Sequence, residues 1–304
     1  MPPRPLPVRD GLNPTRLRLP EGEPADTVLA YLCLRWPDDA ENLAHKVSTG
    51  QVLGDDATAV TPRTPYRAGT FVHLYRDPAP ESPVPFAVDV LHRDEHLLVV
   101  DKPHFLATTP RGSHVTETVL TRLRRRLDLP ELSPAHRLDR LTAGVLVLTT
   151  HRAARGPYQQ LFDARAVSKT YRAVAPHHRA LELPRTVRSR IVKERGSLQA
   201  CEVPGEPNAE TVVELERVHG ATATYRLTPR TGRTHQLRVH LCSLGVPILG
   251  DPLYPRVLDA EDDWAVPLQL LAHTVAFDDP FTGQPRTFTT RRALEGSGVQ
   301  APQR

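Results

Sequence analysis

The chain has 304 residues, a net charge of +4 and a pI near 9.1, enough length for one or two domains with a buried core and a mild basic bias that suits a nucleic-acid partner. No apolar run reaches the roughly 18 residues of a membrane span, and "MPPRPLPVRDGLNP" has no apolar stretch of the signal-peptide kind. The three cysteines, Cys33, Cys201 and Cys242, are too scattered for a disulfide framework or a zinc site and fit a reducing cytoplasm. Positive charge is almost all arginine, with lysine only at Lys46, Lys102, Lys169 and Lys193.

Residues 1–24 are rich in proline and arginine and read as an extended, irregular extension. "ADTVLAYLCLRW" then places Val28, Leu29, Leu32 and Leu34 at helical spacing. "ENLAHKVSTGQVLGDD" reads as a short helix, a turn at Gly50 and a strand start, and "YRAGTFVHLYR" as a strand. Residues 25–76 thus form a small unit of two helices and a sheet. Prolines at 78, 80, 83 and 85 make 77–85 a stiff linker.

Beyond it, "HLLVVDKP" reads as a buried strand ended by Pro103. "TETVLTRLRRRLDL" reads as an amphipathic helix with Thr116 as N-cap, a Val119–Leu120–Leu123–Leu127 stripe, and arginines at 122, 124, 125 and 126 on the remainder. "GVLVLTT", "KTYRAVA", "TVVELERV", "ATYRLTP" and "LLAHTVAFD" read as strands. "THQLRVHLCSLG" reads as a helix with Leu237, Leu241 and Leu244 on one face and Gly245 closing it. Strands outnumber helices without regular alternation, which favours an α+β domain with a mixed, mainly antiparallel sheet flanked by helices over a doubly wound one. The tail from Arg291 reads as frayed.

Three stretches carry chemistry. In "SPAHRLDRLTAGVLVLTT" Asp139 stands between Arg137 and Arg140, on a loop that enters an apolar strand, where a sheet can position it. Flanking cations favour the charged form of a carboxylate, which can serve as nucleophile or base; spacing alone leaves a loop-pinning salt bridge equally open. In "TPRTGRTHQLRVHL" Gly232 turns the chain and Thr234 can cap the helix. Arg233 then lies at the helix N-terminus, where free N–H groups favour anions, and Arg230 and Arg238 add positive charge. His235 and His240 lack HExxH spacing and an acidic companion, so no metal is expected. In "SKTYRA" Tyr171 alternates with Lys169 on one strand face, where an aromatic can stack on a base beside a cation that holds its phosphate. A half-buried core tyrosine is the plainer reading.

Together these stretches resemble the RluA family of RNA pseudouridine synthases. "HRLDRLTAG" is similar to that family's aspartate motif, "KTYRA" to its tyrosine segment, and "RTGRTHQLRVHL…LGVPILGDPLY" to its long C-terminal motif. "VVDKP" is similar to the strand ahead of the active-site region. The resemblance spans about residues 86–290. The unit at 25–76 resembles a degenerate S4-type RNA-binding module in which "DDAENLAHK" is acidic where a basic helix face is expected. The late strand departs from the family's Leu-His-Ala: "LQLLAHTVAF" has Leu271 in place of the histidine, with His273 two residues on and on the same strand face.

The resemblance implies a pseudouridine synthase fold and an enzyme that flips a uridine out of ribosomal or transfer RNA; cysteine usage suggests the cytoplasm, and a monomer is the default expectation. The enzyme breaks the N1–ribose bond and rejoins the base through C5. Substrate and product are isomers, so no cofactor or metal is called for. Asp139 would be the essential carboxylate, Arg233 would pair with it and hold it, and Tyr171 would pack on the flipped base and help remove the C5 proton. Arg137 would contact flanking phosphates, with Arg140, Lys102, Lys169, Arg230 and Arg238 as further RNA contacts, and Leu237 would wall the pocket. A single carboxylate among arginines suits glycosidic-bond cleavage on a polyanion better than hydrolysis, which usually uses two acids. The competing readings are a non-catalytic RNA-binding or ribosome-assembly factor on the same fold and a nucleoside hydrolase.

Overall fold

The computed structural model describes residues 5–75, 77–258 and 263–295. The chain divides into two compact units, Met1–Glu81 and Ser82–Arg304, at a point inside the proline-rich 77–85 segment. Among the described residues no helix is long and apolar enough to cross a membrane.

In the first unit β1 (Thr15–Arg18), α1 (Val28–Arg35), α2 (Ala40–Ser48), β2 (Val52–Gly54) and β3 (Phe71–Leu74) follow in order. The strands form an antiparallel sheet in the order β1-β3-β2. Thr27 caps α1 by accepting from the Ala30 N–H at 3.1 Å. The strand at 15–18 corrects the expectation of an irregular segment up to residue 24. Leu17 and Leu19 alternate with exposed Arg16 and Arg18, and Leu17 and Leu19 pack on the core of Val28, Leu32, Leu43, Val72 and Leu74. Period-two burial fixes the strand despite its prolines on either side.

The second unit holds β4 (Asp89–Arg93), β5 (Leu97–Lys102), α3 (Val119–Leu127), β6 (Ser133–Pro134), β7 (Ala143–Thr149), α4 (Arg152–Asp163), β8 (Ser168–Pro176), β9 (Arg185–Val192), β10 (Cys201–Val203), β11 (Ala209–His219), β12 (Thr222–Pro229), α5 (Gln236–Ser243), β13 (Leu270–Asp278) and β14 (Pro285–Thr289). One sheet runs β10-β9-β11-β12-β8-β13-β7-β5-β4, with β14 on β13 and β6 on β7. All its pairings are antiparallel except β13 with β7. That parallel contact needs Gly144: its φ is +111°, and a Cβ there would lie 2.2 Å from the Ala272 carbonyl oxygen. The glycine of "TAG" is therefore a close-approach residue.

Four features differ from the sequence reading. Thr118, not Thr116, caps α3, accepting from the Thr121 N–H at 3.1 Å. The arginines of α3 largely bind main chain: Arg122 donates to Val84 O and Phe86 O, Arg124 to Leu132 O, and Arg126 to Val88 O. Helix α4 was not anticipated; it contains Gly156 and Pro157, and Ala154 and Tyr158 bury one side of it against β7 and override propensity. Residues 291–294 are held rather than frayed: the Arg291 N–H donates to Asp101 at 2.7 Å and Leu294 is 4% exposed. Residues 296–304 of the expected tail lie outside the described residues.

Candidate active site

The loop from Leu138 to Thr142 spans a seam in the core. Leu138 is buried in a cluster with Val100, Leu106, Leu123 and Leu148, whereas Leu141 is buried in a second cluster with Phe105, Leu227, Leu237 and Leu241. Burying each leucine contributes about 1.5–3 kcal/mol, so the loop is anchored on both sides. Asp139 sits between the anchors with 35% of its side chain exposed. Tyr171 of β8 packs against both clusters.

Four consecutive carbonyl groups of this loop each accept from a different donor. Thr108 Oγ1 donates to Leu138 O at 2.7 Å, the Thr142 N–H to Asp139 O at 3.1 Å, Lys102 Nζ to Arg140 O at 2.9 Å, and His104 Nδ1 to Leu141 O at 2.7 Å. Three of these donors come from residues 102–108, the last residue of β5 and the segment that follows it. The backbone that carries Asp139 is thereby fixed before any substrate arrives.

Lys102 was expected to contact RNA, and the structure corrects this. Its side chain is fully buried, and its ammonium also donates to Pro103 O at 2.9 Å and Leu106 O at 2.6 Å, which uses all three of its protons on main chain. Burial pushes its pKa well below the usual lysine value, against the opposing pull of Asp139.

The guanidinium facing Asp139 is Arg238, not Arg233. Arg238 Nη1 lies 3.8 Å from Asp139 Oδ2. Its other edge grips Asp251 in a two-pronged pair, Nε to Oδ2 at 2.7 Å and Nη2 to Oδ1 at 2.6 Å. Asp251 also accepts from the Leu253 and Tyr254 N–H groups at 2.9 and 3.2 Å, and the Tyr254 ring lies 5.2 Å from the guanidinium. Burial works against the charge of Arg238, but Asp251 and Asp139 outweigh it and hold its pKa above the ordinary value. Its side chain is only 2% exposed, so the expected RNA contact by Arg238 is also corrected.

Arg233 is exposed and donates from Nε to Asn208 O at 3.1 Å. The reason lies in where α5 begins. The helix starts one residue later than a Thr234 cap implies: His235 is the N-cap, in the left-handed region at φ +57°. Gln236 ties the turn, accepting from the Arg233 N–H and the Thr231 hydroxyl and donating to Glu210 O and Thr211 Oγ1. That phase buries Arg238 and leaves Arg233 outside.

Leu237 is buried in the cluster that meets Tyr171. Burial raises the Tyr171 pKa strongly, and the Asp139 charge raises it further. The phenol is therefore neutral at physiological pH. Of the other expected RNA contacts, Arg137 is exposed and Arg140 and Lys169 are half-buried. Arg230 is exposed and pairs with Glu210 at 2.9 Å. His273 is the bulged residue between Ala272 and Thr274; it meets Arg172 at 2.8 Å, while Leu271 is buried with Ala143, Val174 and Leu294. Both lie on the sheet face opposite Tyr171, because Leu271 pairs with Arg172 and neighbouring strand residues alternate.

Asp251, His104 and Thr108 were not singled out from sequence, and His235 was weighed there only as a metal ligand. Asp251 had a signal, as the acid of "LGDPLY"; the others become visible only through their partners.

The sequence matches the RNA pseudouridylate synthase family over residues 96–243. It is 34% identical over 212 residues to an uncharacterized RNA pseudouridine synthase of Synechocystis sp., covering 69% of this chain and 72% of that protein. It is 34% identical over 207 residues to the dual-specificity RNA pseudouridine synthase RluA of Salmonella typhi, covering 66% of this chain and 90% of that protein. The solved structure of human RNA pseudouridylate synthase domain containing 4 is similar at 26% identity with a TM-score of 0.53, covering 68% of this chain and 88% of that one. The chain is therefore an isomerase acting on RNA. The chain belongs to the RluA family of RNA pseudouridine synthases and forms pseudouridine in RNA.

Proposed function

We propose that Asp139 is the essential carboxylate of this enzyme and that the target uridine is flipped into the seam between the two core clusters, against Tyr171 and Leu237. The observation that carries this reading is the loop itself. Four consecutive carbonyls are taken up by fixed donors, and the one carboxylate they present is only partly shielded and faces a buried, pre-held guanidinium. Breaking the N1–C1′ bond needs a carboxylate at the ribose. Arg238 keeps that carboxylate oriented through cleavage, rotation of the base and bond formation at C5. The neutral Tyr171 phenol flanks the base.

Arg137 and Arg233 lie exposed on the loop and turn that border the site, and they suit the phosphates on either side of a flipped nucleotide. The RNA is ribosomal or transfer RNA and the enzyme acts as a cytoplasmic monomer. The first unit is a degenerate S4-like module: two helices on a small sheet carry exposed Arg16 and Arg18 on a strand and acidic residues Asp38, Asp39 and Glu41 at the helices. The test is to incubate unmodified ribosomal and transfer RNA transcripts with the enzyme and map pseudouridine by chemical adduct and primer extension. One or a few new sites that need the enzyme are expected. Modification of neither RNA would refute these substrates.

A further inference from the structure

His235 is a site residue that no step above uses. It is the N-cap of α5, three residues before Arg238, the residue that reaches Asp139. The Tyr254 ring touches both: it packs edge-on to the His235 ring at 5.7 Å and lies 5.2 Å from the Arg238 guanidinium. His235 is held at φ +57°, a conformation uncommon for residues with a side chain, and such outliers gather at functional sites.

The hydrogen bonds define what the ring offers. Tyr254 hydroxyl donates to Ala200 O at 2.8 Å and accepts from the Ala200 N–H at 2.7 Å. Its one proton is then used, so the 3.0 Å contact with His235 Nδ1 satisfies all groups when Nδ1–H donates to the phenol oxygen. That tautomer leaves Nε2 with a free lone pair. Burial holds the ring neutral, lowering its pKa to about 4; the charges of Asp139 and Asp251 oppose this and those of Arg238 and Lys193 reinforce it. An uncharged acceptor thus stands at a helix start that is otherwise a row of donors, and it feels the charge of Asp139.

We infer that His235 Nε2 accepts a hydrogen bond from the 2′-hydroxyl of the target ribose. The inference rests on the placement of that nucleotide at Asp139. A carboxylate aimed at the anomeric carbon puts the neighbouring C2′ and its hydroxyl beside it, and the 2′-hydroxyl is the donor that separates RNA from DNA. His235 would then fix the sugar while Asp139 acts on it, and would favour a ribose at the reacting position.

Two substitutions separate this role from a structural one. His235→Asn tolerates the left-handed backbone and can still donate to Tyr254, but has nothing at the Nε2 position. His235→Gln returns an acceptor there and loses the fit at Nδ1. On a stem-loop carrying the mapped uridine, His235→Asn is expected to lower single-turnover rate at least 10-fold with RNA affinity within about 3-fold, and His235→Gln to recover much of the rate. Replacing the target with 2′-deoxyuridine should slow the wild type similarly and His235→Asn hardly further. A fully active His235→Asn, or losses that multiply with the deoxy substitution, would overturn the assignment. Asp139→Asn run in parallel separates the two failures: if it stays active, the nucleotide is not at this site at all, whereas an inactive Asp139→Asn beside an active His235→Asn removes the His235 role alone.

Discussion

Replacing Arg238 by methionine removes the guanidinium that faces Asp139 while keeping much of the side chain's volume. At 3.8 Å and an effective dielectric near 20, the pair interacts by about 4 kcal/mol. Asp139 is 35% exposed, so screening reduces this to roughly 2 kcal/mol, or about 30-fold in rate if the interaction serves the transition state. The single substitution also strands Asp251, whose side chain is fully buried, at about 3–5 kcal/mol. Arg238→Met/Asp251→Asn limits that penalty and isolates the effect on Asp139. In single-turnover isomerisation at saturating RNA, the double variant should retain a cooperative melt yet react at least 30-fold slower. Arg233→Ala should stay within about 3-fold of wild type in rate and lose affinity instead. If Arg233→Ala proved the slower enzyme, Arg238 would not be the partner of Asp139 in the working state.

Other consequences follow from the same contacts. Lys102→Met removes the ammonium that donates to three carbonyls; stability should fall by on the order of 3 kcal/mol in a denaturant titration and rate should fall with RNA affinity unchanged, whereas a loss of affinity alone would restore Lys102 to the RNA face. Gly144→Ala would press a methyl group on the Ala272 carbonyl and should cost about 3 kcal/mol or more; a melting temperature within a degree of wild type would show that β7 and β13 can separate freely. His136, His104 and His235 are held neutral by burial, with pKa values lowered to about 3, about 4 and about 4. Between pH 6.5 and about 4 the unfolded chain therefore binds more protons, so stability should be full above pH 6.5 and fall on acidification by up to about 1.4 kcal/mol per pH unit for each histidine. Equal melting temperatures at pH 7 and pH 5 would contradict their burial.

The aspartate loop was legible because its chemistry is local: an acid between arginines at the entrance to an apolar strand. The partner arginine was not. Arg233 and Arg238 differ in role through the phase of α5, and that phase is set by the left-handed His235 and by Gln236 bonding back to residues 210 and 211. Asp251, 13 residues beyond Arg238, then decides which guanidinium is buried. Lys102 misled for a similar reason. A lysine ending a strand reads as exposed, and only the carbonyl of Arg140, 38 residues away, shows why it is inside. The α3 arginines read as a charged surface because nothing in sequence shows residues 84–88 running past them to receive their hydrogen bonds. Local periodicity carried most strands of the sheet; its single parallel contact was carried by a glycine whose neighbour is over a hundred residues away in the chain.

The most direct test of the central claim is tritium release from unmodified RNA labelled at uracil C5, comparing wild type with Asp139→Asn. Isomerisation expels that hydrogen, while hydrolysis or binding need not. Release by the wild type and none by Asp139→Asn, with RNA affinity within a few fold, is the expected result; release by Asp139→Asn at a rate near wild type would show that the reacting carboxylate is not Asp139.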